Sequence, residues 1–262
     1  MYRLNLNSKI RPIFVTICCA FSLGLVVGGF PLMAIAQEYN PPDVGLPGRR
    51  EGGGTRGCWN ELAVANPTQS SSQSSVEELP TALTPAENFG YTTSERPTFF
   101  FYIPQLYAEK AVAADFMLLD EQGNEVYSTT FQPSHSANVV SVTLPADSAS
   151  ALEPGKPYQW SFGLTCNLGD RSGDRVMDGW IQRVEPTAAL ETALANATPA
   201  ELPALYAQSG IWYDAFASLV ALHTTPTSQT FTTQWSTLLN SVGLNHIAEA
   251  AFAQCCTTAQ SE

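Results

Sequence analysis

Positive charge is scarce in this chain: 12 Lys and Arg stand against 24 Asp and Glu in 262 residues, and lysine occurs only at Lys9, Lys110 and Lys156. Such a balance repels nucleic acid and anionic lipid, and it disfavours binding driven by phosphate neutralisation. Histidine is equally rare. His135, His223 and His246 lie far apart, none belongs to an H-E-x-x-H zinc motif, and none stands beside an obvious nucleophile. G-x-S-x-G, C-x-x-C and a Gly-Lys-Ser/Thr phosphate loop are all missing. These absences point to a non-enzymatic protein without cofactor or metal. Beyond residue 36 no apolar run is long enough to cross a bilayer.

What is present begins at the N-terminus. Arg3, Lys9 and Arg11 precede an 18-residue apolar run from Ile13 to Phe30, followed by Pro31 and Ala34-Ile35-Ala36. A charged start, a hydrophobic stretch and a small-x-small site form the layout of a secretory signal peptide. Pro31 breaks the helix about one turn before the cleavage site, so cleavage after Ala36 and a mature Gln37 are expected, with a retained membrane anchor as the alternative. Loss of residues 1–36 removes three basic and no acidic side chains; nine basic against 24 acidic remain, a formal charge of −15. The expected location is periplasmic or extracellular, with membrane contact only if the N-terminal segment is retained.

Export changes the reading of the cysteines. Cys58, Cys166, Cys255 and Cys256 survive cleavage, and an oxidising compartment allows them three pairings. Cys58 with Cys166 is favoured, because the adjacent Cys255 and Cys256 can join only as a strained vicinal bridge.

Residues 37–59 are rich in Pro and Gly, which should keep any regular element from continuing, and Asn66–Ser75 (NPTQSSSQSS) is a polar linker. The next hundred residues read as strands. Thr98–Ile103 (TFFFYI) is a continuous apolar run bracketed by prolines, the mark of a buried strand. Ala114–Asp120 and Glu125–Phe131 flank Glu121-Gln122-Gly123-Asn124, where Gly123 and Asn124 favour the positive φ of a hairpin turn. Val139–Leu144 alternates, Tyr158–Cys166 alternates cleanly with Cys166 facing inward, and Val176–Val184 closes the set. Six strands with turn residues between them predict an antiparallel sandwich.

After Pro186 the composition shifts to Ala, Leu, Thr and Gln. Thr187 and Thr198 are candidate helix caps, with Pro199 at a first helical position. Trp212, Phe216, Leu219 and His223 keep helical spacing, as do Phe231, Trp235, Leu238, Leu239 and Val242, which predicts the facing stripes of a helical hairpin. The expected organisation is a signal peptide over 1–36, a Gly/Pro/Ser-rich segment and linker over 37–80, a β-sandwich over 81–186 and a helical region over 187–262.

Two resemblances add to this. Leu152–Phe162 (LEPGKPYQWSF) resembles the corner of fibronectin type III and immunoglobulin-like domains, where a tyrosine at a strand start bonds back to the preceding turn; Tyr158 would take that role. The blocks LPGRREGGGTRGCW, TSERPTFFFYIP, LLDEQGNEVYSTTF, PGKPYQWSFGLTC and GWIQRVE occur in the order of a family of exported cyanobacterial proteins known as domain-of-unknown-function family 928. The chain resembles that family over about residues 46–186 and more loosely through GIWYDAF. The resemblance implies export and no particular activity.

Three constellations carry candidate chemistry. Arg49, Arg50 and Arg56 among Gly52, Gly53 and Gly54 can wrap an anion with guanidinium forks and backbone N–H groups, or can dock the segment on the acidic body. Asp170, Ser172, Asp174 and Asp178 superficially resemble a calcium loop, but Arg175 occupies the glycine position and Ile181 the bidentate-glutamate position, so a polar turn is expected. Tyr158, Trp160 and Phe162 read as core. The leading expectation is an exported envelope protein of mainly β structure, an immunoglobulin/fibronectin-III-like antiparallel sandwich with a helical hairpin, acting as an interaction or structural module for an envelope protein. The alternative is a glycan- or anion-binding module, and a hydrolase comes third.

Overall fold

The structure is a computed structural model that describes residues 38–43, 46–53, 59, 78–136, 138–146, 150–223 and 229–248. Its strands are β1 (Arg49–Gly53), β2 (Thr81–Ala82), β3 (Phe89–Thr92), β4 (Thr98–Ile103), β5 (Ala113–Leu119), β6 (Glu125–Phe131), β7 (Asn138–Thr143), β8 (Pro157–Thr165) and β9 (Arg175–Arg183). Its helices are α1 (Gln105–Lys110), α2 (Ala188–Asn196), α3 (Leu202–Gln208), α4 (Trp212–Ala221) and α5 (Gln229–Ser241).

Antiparallel pairing joins eight strands in the order β6-β5-β8-β9-β1-β2-β4-β7, and β3 adds to β9 in parallel. Although β9, β1 and β2 separate β8 from β4 along this path, Phe101 of β4 stacks on Phe162 of β8 with ring centroids 4.0 Å apart. Phe99 meets Phe116 of β5 at 4.8 Å. The sheet therefore folds back on itself as a half-barrel, and β4 lies across β5 and β8. The other face of β4 is covered too, because Phe100 packs against Phe216 of α4 at 4.9 Å. A strand buried on both faces needs apolar residues at every position, which accounts for the unbroken TFFFYI.

The helices share this core. Trp212 is fully buried and its indole N–H donates to the carbonyl of Leu83 at 2.8 Å. The Tyr213 hydroxyl accepts from Trp160 Nε1 at 2.8 Å and donates to the carbonyl of Trp180 at 3.3 Å, and burial pushes its phenol far above the ordinary value. Asp214, in the first turn of α4, accepts from Thr92 Oγ1 and Thr93 Oγ1, each at 2.6 Å, and from the Thr93 amide at 3.1 Å. A carboxylate there also meets the positive end of the helix. The expected hairpin is present: Phe216 meets Trp235 at 5.2 Å, and His223 meets Phe231 at 5.0 Å.

The tyrosine corner is formed, with the Tyr158 hydroxyl accepting from the Glu153 amide at 3.0 Å. The β5–β6 turn forms as read, but only Gly123 takes positive φ (81°), while Asp120 holds the turn by accepting from the amides of Gln122 and Asn124.

Other expectations need correction. The glycine-rich segment was expected to stay irregular, yet Arg49–Gly53 is a strand, because β9 and β2 offer it backbone partners that require no apolar side chains. The two-residue β2, β3 and the six-residue α1 were not anticipated. Thr187 caps α2 as expected, but Pro199 lies in a turn and Pro203 stands at the start of α3 instead.

Candidate functional site

One end of the sheet gathers three connections. Ile103 of β4 lies opposite Asn138 of β7, Ala113 of β5 opposite Thr165 of β8, Ala114 opposite Phe131 of β6, and Leu164 of β8 opposite Arg175 of β9. The segment through α1, the stretch 132–136 and the stretch 166–174 therefore meet at the same edge.

The 166–174 connection is fixed by its own polar residues. Asn167 Oδ1 accepts from the Gly169 amide at 2.9 Å, and Asp170 Oδ1 from the Ser172 amide at 3.0 Å. Arg171 bridges Asp115, at 2.6 Å, and Asp174. Trp59, buried beneath, donates its indole N–H to the Gly173 carbonyl at 2.7 Å and lies 5.0 Å from the Tyr107 ring of α1. Against this clamped base, Leu168 stands 70% exposed, Leu106 on α1 49% and Val112 44%. Val112 is tied in by its amide, which donates to the Thr165 carbonyl at 2.8 Å. Among the described residues only Met117 joins these three as an exposed large apolar side chain. Exposed apolar groups scattered singly mean little, but three at one ordered edge make this the candidate site.

Arg175 lies inside this end, buried, with its guanidinium 5.8 Å from the Tyr107 ring centroid, close enough for a cation–π contact. Among the described residues its Nε and Nη1 find no hydrogen-bond partner.

The residues singled out in the sequence fall in different places. Cys166 follows β8 and packs against the core; Cys58 and Arg56 lie outside the described residues. Arg49 and Arg50 take different roles. Arg50 Nη1 donates to the carbonyls of Val242, at 2.7 Å, and Thr84, at 3.4 Å, so it clamps the chain just beyond α5, and burial lowers its pKa. Its partners are carbonyls rather than the carboxylates expected. Arg49 is exposed and sits opposite Asp178, whose carboxyl partial burial holds above the ordinary range against the lowering pull of Arg49. Asp170 and Asp174 serve the loop and its arginine, and Asp178 belongs to the strand. His135 and His246 are exposed, and His223 packs in the helical hairpin. Trp59, Trp160, Trp212 and Trp235 are buried; Trp180 is partly exposed and donates to the Pro47 carbonyl at 2.9 Å.

The surface at this end was not read from the sequence. Leu106 and Leu168 look unremarkable there, and only the register of β5 against β8 brings their connections to one edge.

Fold and site thus define a mainly antiparallel β protein with several helices and an exposed apolar edge. Residues 51–252 match the model of the family described as Domain of Unknown Function (DUF928), and the chain belongs to that family. No curated protein matches it.

Proposed function

We propose that this chain is an exported, non-enzymatic envelope protein that serves as a protein-interaction module, and that it meets its partner at the edge formed by α1, the start of β5 and the β8–β9 loop. The observation that carries the reading is the exposure of Leu106, Val112 and Leu168 on elements held rigid by Trp59, Arg171 and backbone bonds. Apolar groups presented on a fixed frame lose little entropy on contact, which is what an interface anchor needs. Helices α2 to α5 carry no comparable exposed large apolar side chains among the described residues, and the apolar stripes of α4 and α5 face the sheet and each other.

The finer architecture we infer is an immunoglobulin/fibronectin-III-like sandwich, supported by the packing of β4 across β5 and β8 and by the Tyr158 corner. We also infer a Cys58–Cys166 bridge. Trp59, next in sequence to Cys58, is bonded to Gly173 in the connection that begins at Cys166. Non-reducing peptide mapping of exported protein should recover the two as one linked pair; linkage of Cys166 to Cys255 or Cys256 would refute it.

A glycan- or anion-binding role is less well supported. Four tryptophans are buried and Arg50 is committed to backbone carbonyls, which among the described candidates leaves Arg49 and the partly exposed Trp180 on the outer face of β1 and β9.

The test is Leu106→Glu, Val112→Glu and Leu168→Glu, singly and together, in chain recovered from the envelope. The variants should secrete and unfold as the parent does and lose a protein that the parent co-purifies after cross-linking. Retention of that protein by the triple variant would overturn the site.

A further inference from the structure

Strand β6 ends the sheet, and among the described residues no strand covers its outer edge. Among these residues it pairs only with β5, and the side-chain bonds of Ser128 to Glu125, at 2.6 Å, and of Thr130 to Asp115, at 2.7 Å, stay within the hairpin. Natural edge strands are commonly blunted by lysine, proline or a bulge at mid-strand. β6 (EVYSTTF) has no lysine and no proline, and its register shift lies near its start, at Val126, opposite Leu118 and Leu119 of β5. From Tyr127 to Phe131 the pairing with Ala114–Leu118 is regular. The edge is also firmly backed. Phe131 is buried 6.1 Å from Phe162, and Tyr127 lies 6.2 Å from Phe116.

The charge around this edge is predominantly negative, because Lys156, which shares a hollow with Asp120, Glu121 and Val126, is paired with Glu153 at 2.8 Å. From Ala111 to Gly155 the chain holds Asp115, Asp120, Glu121, Glu125, Asp147 and Glu153 and no lysine or arginine. Asp115 is matched by Arg171, whereas Asp120, Glu121 and Glu125 are exposed or partly exposed at the hairpin turn where β6 begins. At its other end β6 reaches Phe131, which pairs with Ala114, two residues from Val112. The open edge therefore runs from a cluster of carboxylates to the apolar contact edge.

We propose that β6 is a β-augmentation site: an extended, lysine- or arginine-bearing segment of a protein partner adds to the sheet along Tyr127–Phe131, with its basic side chains near Glu121 and Glu125. Main-chain hydrogen bonds give such a strand its affinity, and the carboxylates select its charge. The proposal rests on the protein-partner reading above and gives that partner a chemistry.

The probe is a short peptide of alternating lysine and valine, titrated into the full exported chain while amide exchange is followed residue by residue. It should protect the amides of β6. A copy N-methylated at alternate residues keeps every charge but loses main-chain donors, and a copy with glutamate for lysine keeps the donors but reverses the charge; each should bind at least about tenfold more weakly. Glu121→Lys with Glu125→Lys, both on the exposed hairpin, should invert the preference between the lysine and glutamate peptides. Equal binding of the N-methylated copy, or protection elsewhere than β6, overturns the proposal. If β6 fails in this way while a protein still depends on Leu168, augmentation is wrong and the protein-partner reading survives. If the peptide augments β6 but no protein depends on Leu168, the reverse holds.

Discussion

At the scale of the single residue, the tightest constraint is Gly179. It pairs with Trp160 across β8 and β9, and a Cβ there would overlap the indole ring and lie 2.9 Å from the Asn88 carbonyl. Trp160 is fully buried and its indole N–H is held by the Tyr213 hydroxyl, so it has nowhere to retreat. Gly179→Ala should cost about 1–3 kcal/mol or more by overpacking, read as a lowered midpoint in urea with an unchanged slope; a midpoint equal to the parent's would show that the indole can move. Tyr158 was legible in advance because Pro154, Gly155 and the spacing to the tyrosine are local. Gly179 was not, since its meaning depends on which residue the neighbouring strand places opposite. The same limit applies to Arg50, whose carbonyl partners Thr84 and Val242 are distant in sequence.

At the scale of the element, the β5–β6 hairpin turn is pH-sensitive. Asp120 accepts from Asn124 Nδ2 and from the amides of Asn124 and Gln122, and these bonds, the Asn124 side chain foremost, hold its carboxyl below the ordinary value. A depressed folded value means that the turn is supported fully above the unfolded carboxyl value of about 3.9 and loses that support as pH falls through the lower folded value. Amide exchange at Gln122 and Asn124 should speed up in that acid range in the parent, whereas Asp120→Asn should show no such acid step. The elements with strong periodicity, β4 to β9 and the α4–α5 hairpin, were readable to within a residue or so at their strand ends. β1, β2 and β3 were not, because backbone pairing to β9 or β4 defines them and two to five residues give no period. α1 is six residues long and buries only Tyr107 and Ala108, too little for a helical stripe.

At the scale of the whole molecule, the acidic body and the half-barrel have one consequence in common. A surface dominated by carboxylates stays dispersed and admits a partner only where charge gives way to apolar groups or is matched by a basic segment. The described surface has such a place at Leu106, Val112 and Leu168, and the open edge of β6 leads to it. The sequence patterns indicated a β body with docked helices, but this place arises only when three connections distant in sequence close on one another. The most direct measurement is photo-cross-linking in the intact envelope, with a photoreactive side chain at position 168 and, as control, at the exposed Glu191 on α2. A discrete protein adduct from position 168 and none from position 191 is the expected result; equal adducts from both positions, or none from 168 in correctly exported protein, would contradict the account.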